Sequence, residues 1–347
     1  MQRFYRVAAP DYPFPHPPAP GTTIEVAPGV HWLRMALPFQ LDHINLWLLE
    51  DGDSWSMIDS GLGNEPTRAL WEKIFADNIG SRPVRRVLVT HYHPDHAGNA
   101  AWLCERTGAQ LWMTRGEYLT VHAARHGAAG YSTEAQIALF RANGLDEERG
   151  KALLVRGDLY RMLVPEFPMS HRRLHEGERI SIGGRSWHVI VGHGHAPEHV
   201  SLHCAELNLL ISGDMLLPRI STNVAVRPVD PWANPLRRFL ESIGRYRALP
   251  EDILVLPSHG LPFRGAHARI AQLEAHHQER LAELRAACAA APRAAAEVLE
   301  LLFRRKLDTG QIFFAMGEAI AHLHYLHYDG RLARTVGADG VARFAPG

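Results

Sequence analysis

The stretch THYHPDHAGN, residues 90–99, places three histidines and one aspartate within six consecutive positions. The run before it, Arg86 to Thr90, is β-branched and apolar, which is typical of a buried strand. The cluster is therefore expected on a short loop leaving that strand, with Pro94 blocking a helix there. Imidazole and carboxylate groups are preferred ligands of divalent transition metals, and this loop offers more of them than one tetrahedral ion needs. The stretch predicts two metal ions.

The composition of the whole chain limits its class. The 347 residues are 46% hydrophobic, enough for one large and one smaller globular domain. Lys and Arg together number 37, as do Asp and Glu, so no overall charge favours nucleic acid or an anionic membrane. Cys104, Cys204 and Cys288 are widely spaced, as in proteins with reduced thiols, and no apolar run approaches the roughly 20 residues of a membrane span. We expect a cytoplasmic protein without membrane partners.

An extended arm and two domains are expected along the chain. Residues 1–21 are interrupted by prolines and are interpreted as an extended arm. Residues 22–263 alternate strand and helix patterns, with a predicted helix at Ala100–Thr107, a predicted strand at Gln110–Met113, and a helical insert at about 115–175. Residues 264–347 are predicted to be helical to Tyr328 and to end in a hairpin.

Four further acidic or histidine residues follow apolar runs that are predicted strands: Asp59, His195, Asp214 and His259. Strand ends at one rim of a sheet can converge although they are far apart in sequence. We expect these side chains to join the histidine cluster.

The ordered series of these motifs resembles the metallo-β-lactamase superfamily, in its binuclear, glyoxalase II-like hydrolase branch. The resemblance covers roughly residues 22–263 and implies an α/β fold, an αββα sandwich of two mixed sheets with helices outside. It implies that one metal is held by His91, His93 and His195, and the other by Asp95, His96 and His259. It also implies that Asp214 bridges the metals and that Asp59 lies behind the histidine loop as an orienting residue.

The segment GHGHAPEH, residues 192–199, departs from the commoner family form, with His193 and Glu198 in place of proline and glycine. Alignment on the following strand assigns His195 as the ligand. It leaves open whether His199, at the position of the outer histidine, has a role at the site.

The resemblance implies two divalent cations, with zinc favoured and manganese or iron also accepted by these ligands. Such a pair can lower the pKa of a shared water and polarise a carbonyl or phosphoryl oxygen, with Asp95 placed to accept a proton from the bridging hydroxide. Apolar candidate walls at Phe39, in the insert and at 215–218 favour a small acyl substrate. Hydrolysis of a carboxylic thioester, ester or lactone is the leading hypothesis.

Three alternatives remain. A metal-dependent nuclease or phosphodiesterase would need a continuous basic surface, which the sequence lacks. A mononuclear iron dioxygenase acting on persulfides shares the histidine loop and differs in metal stoichiometry. Flavodiiron oxidoreductases are the third alternative. They are disfavoured because they usually carry glutamate at the position of His93.

The C-terminal residues 264–347 resemble a winged-helix domain. The helix that would read DNA, about Gln311 to Tyr325, has Glu318 as its only Asp, Glu, Lys or Arg, so it is expected to be buried and nucleic acid is not an expected partner. We expect this domain to pack on the catalytic domain or on a second subunit near the site mouth, and a homodimer is a candidate assembly.

Overall fold

The computed structural model of the chain describes residues 10–128, 130–157 and 159–347, without the side chain of Arg156. Part of the predicted arm, residues 1–9, and two positions of the predicted insert, Ala129 and Asp158, lie outside the described residues.

The strands form two mixed sheets and a terminal hairpin. The first sheet contains β1 (Ile24–Ala27), β2 (Val30–Ala36), β3 (His43–Asp51), β4 (Ser54–Ile58), β5 (Val84–Leu88), β6 (Gln110–Met113) and β7 (Arg172–Arg173). The second contains β8 (Arg179–Ile182), β9 (Arg185–Gly192), β10 (His199–Cys204), β11 (Leu209–Gly213) and β12 (Leu254–Pro257). The hairpin is β13 (Ala333–Val336) and β14 (Ala342–Ala345).

The helices of the first half of the chain are α1 (Glu65–Ile74), with a π-helical turn at Phe75–Ile79, α2 (Pro94–Ala97), α3 (Ala100–Thr107), α4 (Arg115–Arg125) and α5 (Thr133–Arg141). The later helices are α6 (Glu147–Arg156), α7 (Leu159–Leu163), α8 (Pro235–Gly244), α9 (Ala266–Ala290), α10 (Leu299–Phe303) and α11 (Thr309–Tyr328), with 3₁₀ turns at Arg245–Ala248 and Ala295–Val298.

In the first sheet the strands lie in chain order, antiparallel from β1 to β4 and parallel from β4 to β7. In the second sheet the order is β12-β11-β10-β9-β8, and only the β11 and β12 pair is parallel. The expected fold of two mixed sheets with helices is confirmed. So are the helix predicted at Ala100–Thr107 and the strand predicted at Gln110–Met113.

The main core contains side chains of both sheets. Trp32 and Trp47 of the first sheet and Trp187 of the second are almost completely buried in one apolar cluster with Val200. A buried aromatic side chain removes roughly 150–250 Å² from water, or about 4–6 kcal/mol each at 25 cal/mol per Å². This core fixes the strands whose ends carry the predicted site residues.

The histidine loop differs from the expected form. Pro94 does not block a helix but begins the one-turn helix α2, with His93 as its N-cap. Proline is well tolerated at the first helical position, because its missing N–H would have no partner within the helix and its fixed φ suits the helix. Asp95 and His96 therefore lie on a helical turn, whereas His91 and His93 precede it.

The contacts of the chain divide it into two compact units. One consists of Met1–Arg125, Tyr160–Thr222 and Ser242–Ala271, and the other of His126–Leu159, Asn223–Glu241 and Gln272–Gly347. Within the second unit, α11 contacts α6 and α10, and most of its side chains are buried. The burial expected of this apolar helix is confirmed.

Candidate metal centre

All the predicted ligands lie in the first unit, either just beyond strand ends or, for Asp95 and His96, on the one-turn helix α2. Asp214 directly follows β11, His259 comes two residues after β12, and His91 and His195 come three residues after β5 and β9. Two of the parallel pairs, β4 with β5 and β11 with β12, bring such ends together at one rim of each sheet. The topology therefore collects side chains that are up to 168 positions apart, counted from His91 to His259.

The first group consists of His91, His93, His195 and Asp214, whose donor atoms all lie within 4.8 Å of one another. The Nε2 atom of His91 is 2.8 Å from Nδ1 of His93 and 3.1 Å from Nε2 of His195. Three ring nitrogens thus face a common point. His93 uses Nδ1 where its neighbours use Nε2, so its ring is turned differently.

The second group consists of Asp95, His96 and His259. The Oδ2 atom of Asp95 is 3.4 Å from Nε2 of His259 and 3.7 Å from Nε2 of His96. The side chains of His96 and His259 are 0% and 2% exposed, and that of Asp95 is 18% exposed. Asp95 is therefore the member of this group that solvent reaches most easily.

Asp214 directs one oxygen to each group. Its Oδ2 lies 3.4 Å from Nε2 of His195, while its Oδ1 lies 3.3 Å from Nε2 of His259 and 3.5 Å from Nε2 of His96. This is the arrangement that a carboxylate needs to contact two cations at once.

The donor atoms suit two divalent metals. A tetrahedral zinc with bonds of about 2.0–2.1 Å would separate its ligand atoms by about 3.3 Å, and the distances above range from 2.8 to 3.7 Å. Two buried atoms, Nε2 of His96 and Oδ1 of Asp214, form no hydrogen bond with any described residue. Buried polar atoms normally have a partner, and cations at this centre would supply it.

Asp59 lies directly behind His96. Its Oδ2 accepts a hydrogen bond from Nδ1 of His96 at 2.8 Å, and its Oδ1 accepts the backbone N–H of Thr90 at 2.7 Å. Because Nδ1 of His96 is occupied, Nε2 is the nitrogen directed at the second group. Asp59 has a φ of 62°, which is unusual for a residue other than glycine and is commonest near functional sites.

His199 has a clear contact at the site, although it is not in either group. Its buried Nε2 accepts the backbone N–H of Asp214 at 3.1 Å, and its ring lies 4.8 Å from that of His91. It therefore supports the backbone of the residue between the groups. The sequence left this role open.

The pKa values of His91 and His96 are shifted by burial and by the ionisable groups around them. Burial, with the neighbouring histidines, holds the pKa of His91 well below its usual range, so its imidazole is neutral as a metal ligand must be. Burial alone would lower the pKa of His96, but Asp59, Asp95 and Asp214 outweigh it and raise that pKa to about 10. Three carboxylates thus surround His96 and favour positive charge at this position.

Two supporting residues were missed in the sequence. The backbone carbonyl of His43 accepts a hydrogen bond from Nδ1 of His259 at 2.7 Å, and its ring accepts the N–H of Gly260 at 2.8 Å. The carboxyl of Glu117 is completely buried, and burial raises its pKa to about 8. Neither residue lies in a recognisable sequence motif. Its role at the site is visible only from its contacts in the structure.

The other predicted positions have simpler surroundings. Phe39 is 45% exposed, whereas the predicted wall at 215–218 is buried. His277 and His322 are buried together in the second unit, with Nδ1 of His277 3.1 Å from Nε2 of His322. They belong to neither group of candidate ligands.

Comparisons with known proteins agree with this geometry. Residues 40–259 match the metallo-beta-lactamase superfamily, and residues 281–347 match the metallo-beta-lactamase-like, C-terminal domain. A crystal structure of a beta-lactamase domain protein from Burkholderia ambifaria is 50% identical, with a TM-score of 0.91, over 97% of this chain and 98% of that one.

Two curated relatives are also similar. The probable metallo-hydrolase YqjP of Bacillus subtilis is 26% identical, over 85% of this chain and 91% of its own length. The acyl-coenzyme A thioesterase MBLAC2 of Gallus gallus is 29% identical, over 54% of this chain and 63% of its own length. With two mixed sheets, a histidine and aspartate cluster able to bind metal ions, and a family match over most of its length, the chain belongs to the metallo-β-lactamase superfamily.

Proposed function

We propose that the protein is a binuclear metal-dependent hydrolase of carboxylic thioesters, with esters and lactones as related substrates, in the glyoxalase II-like branch of the superfamily. The observation that carries the proposal is the position of Asp214, with one oxygen toward each group of candidate ligands. The similarity to an acyl-coenzyme A thioesterase supports a thioester as the substrate.

In this proposal, His91, His93 and His195 hold one cation, Asp95, His96 and His259 hold the other, and Asp214 contacts both. When bound, the cations would lower the pKa of a coordinated water and polarise the carbonyl of the substrate. Zinc is favoured, and manganese and iron are also compatible with imidazole and carboxylate ligands.

The residues of the chain supply orientation and proton transfer. Asp95 is the most exposed member of its group, so its carboxylate is placed to accept the proton of the attacking water and return it to the leaving group. Asp59 fixes the ring of His96 through its Nδ1, which keeps Nε2 directed at the centre.

Metal analysis combined with a turnover panel tests the proposal. We expect about two transition-metal ions per chain by elemental analysis, because seven candidate ligands exceed the three or four that one site requires. The panel contains an acyl-coenzyme A, hydroxyacylglutathione, a lactone and a bis-aryl phosphodiester, and we expect the thioesters to be cleaved fastest.

Two results would contradict the proposal. A single iron with oxygen uptake that depends on a persulfide would identify a mononuclear dioxygenase. Preferred cleavage of the phosphodiester would identify a phosphodiesterase or nuclease.

Further expectations from the sequence stay proposals. These are a small acyl substrate, a cytoplasmic location, a homodimer, and a winged-helix character for the C-terminal residues. Among the described residues, no helix combines the length and apolar character that crossing a membrane requires.

A further inference from the structure

The residue between the first two candidate ligands is held on both sides. The backbone N–H of Tyr92 donates to Oε2 of Glu117 at 2.9 Å, and its carbonyl accepts a hydrogen bond from the hydroxyl of Tyr160 at 2.5 Å. The rings of Tyr92 and Tyr160 are stacked, with centroids 6.1 Å apart. One of these peptide groups is bonded to Cα of His91 and the other to Cα of His93.

Glu117 joins this loop to a second one that carries a ligand. Its Oε1 accepts the backbone N–H of Glu198 at 2.6 Å, three residues after His195. The carboxylate of Glu198 accepts the N–H of Gly116 at 2.7 Å in return. A Cβ at Gly116 would lie 2.9 Å from that carboxylate, so a larger residue there would displace the Glu198 side chain.

These contacts matter because the three nitrogens of the first group must converge within about 3 Å. His91 and His93 present different ring nitrogens, so a small rotation of either flanking peptide would separate Nε2 of His91 from Nδ1 of His93. Groups that orient metal ligands commonly change metal affinity or activity by about 10–100-fold when removed.

We infer that Glu117 and Tyr160 are positioning residues for the first metal group, acting through the two peptide groups of Tyr92 and, for Glu117, through the backbone of Glu198. The inference rests on the metal centre of the proposed function, but not on its substrate. Neither residue belongs to the two groups of candidate ligands. Both set the directions of His91 and His93.

The test uses the full-length protein freed of metal and titrated with Co²⁺, with binding followed by visible absorption. Tyr160→Phe removes the hydroxyl and keeps the ring. Glu117→Gln keeps the shape, but its NH₂ group must face one of the two backbone N–H donors. Each variant is expected to weaken Co²⁺ binding at one of the two metal sites by about 10–100-fold.

Tyr328→Phe is the matched control. The hydroxyl of Tyr328 also donates to a backbone carbonyl, that of Trp232 at 2.6 Å, in the second unit of the chain. It is expected to leave the Co²⁺ affinities within about twofold of the wild type. Thermal unfolding of each metal-free variant separates loss of fold from loss of ligand geometry.

A double variant tests whether the two side chains act on the same backbone. Because both hold Tyr92, their combined effect on Co²⁺ affinity is expected to be smaller than the product of the single effects. Unchanged affinity in Tyr160→Phe would overturn the inference, as would an equal loss in Tyr328→Phe. If Glu117→Gln does not fold, Tyr160→Phe and its control still decide. Because Co²⁺ binding needs no substrate, an error in the proposed substrate class would leave this result intact.

Discussion

At the scale of single residues, the position of Asp214 carries the most consequence. Two dications held roughly 3.5–4 Å apart repel each other, and a carboxylate with an oxygen toward each compensates that repulsion. A neutral amide of nearly the same shape cannot do so.

We therefore expect Asp214→Asn to lose one of the two metal ions and to reduce turnover at least about 100-fold. Elemental analysis and thioester hydrolysis measure both effects. Asp77→Asn is the control, since Asp77 is half exposed and forms a surface ion pair with Lys73. Retention of both ions and full turnover would show that Asp214 does not bridge them.

A second prediction concerns His93, whose Nδ1 lies 2.8 Å from Nε2 of His91. Removing its ring in His93→Ala takes one of the nitrogens from the first group, so metal content should fall and turnover should be abolished. His188→Ala, on β9 and outside both groups, should retain both. An equal loss in the two variants would mean that the ligand assignment is wrong.

At the scale of elements, strand ends and close backbone contacts build the site. Gly98 of the histidine loop lies so near the Gly61–Gly63 segment that a Cβ there would be 2.3 Å from the N of Gly63. Gly213, at the end of β11, has a φ of 55°, and a Cβ there would lie 2.4 Å from the ring of His199. Small residues let ligand-bearing loops approach one another.

Gly213→Ala should therefore be far more disruptive than its size suggests. A positive φ costs about 1–2 kcal/mol for an alanine, and overpacking against His199 adds about 1–3 kcal/mol. Gly184→Ala is the matched control, because its φ of 74° is similar but nothing lies within 4 Å of the added Cβ. Urea unfolding compares them, and equal losses of stability would contradict a clash with His199.

At the scale of the whole chain, the second unit is assembled from three separate segments. Its central helix, α11, carries the partly buried Glu318, whose carboxyl accepts a hydrogen bond from Nδ2 of Asn223 at 3.3 Å. Burial raises the pKa of Glu318 to about 7. A carboxyl in this position affects stability in a pH-dependent way.

The direction of this pH effect on stability follows from the number of protons that the folded and unfolded states bind. Between its ordinary pKa of 4.5 and about 7, Glu318 keeps its proton in the folded state but loses it in the unfolded state, so its contribution to stability is lost as the pH rises through this range. Glu318→Gln removes this loss. Relative to the wild type, its free energy of unfolding should rise by about 3 kcal/mol between pH 4.5 and pH 8.

Denaturant unfolding of both proteins at the two pH values measures the difference. Contributions of the buried histidines, including His277 and His322, are common to both proteins and cancel. A difference that does not change with pH would show that Glu318 is already ionised in the folded state at neutral pH.

The sequence by itself predicted the strands, as short apolar runs, and the candidate site residues that follow those runs or lie in the 90–99 stretch. The two mixed sheets and the seven metal ligands were what its resemblance to a known family implied. The sheets are confirmed, and the ligand roles stay predictions. The proposed catalytic roles of Asp95 and Asp59 stay predictions.

Only the tertiary structure decided which atoms face which. The oxygens of Asp214 toward both groups, the contact of His199 with its backbone, and the hold of Glu117 and Tyr160 on Tyr92 all join residues from separate strands, loops and helices. The second compact unit likewise joins three separate segments of the chain. Such contacts follow from how distant segments pack around a shared core, and sequence spacing carries no record of that packing. The prediction for Pro94 was wrong for a local reason: proline was expected to block a helix, but at the first helical position it begins α2.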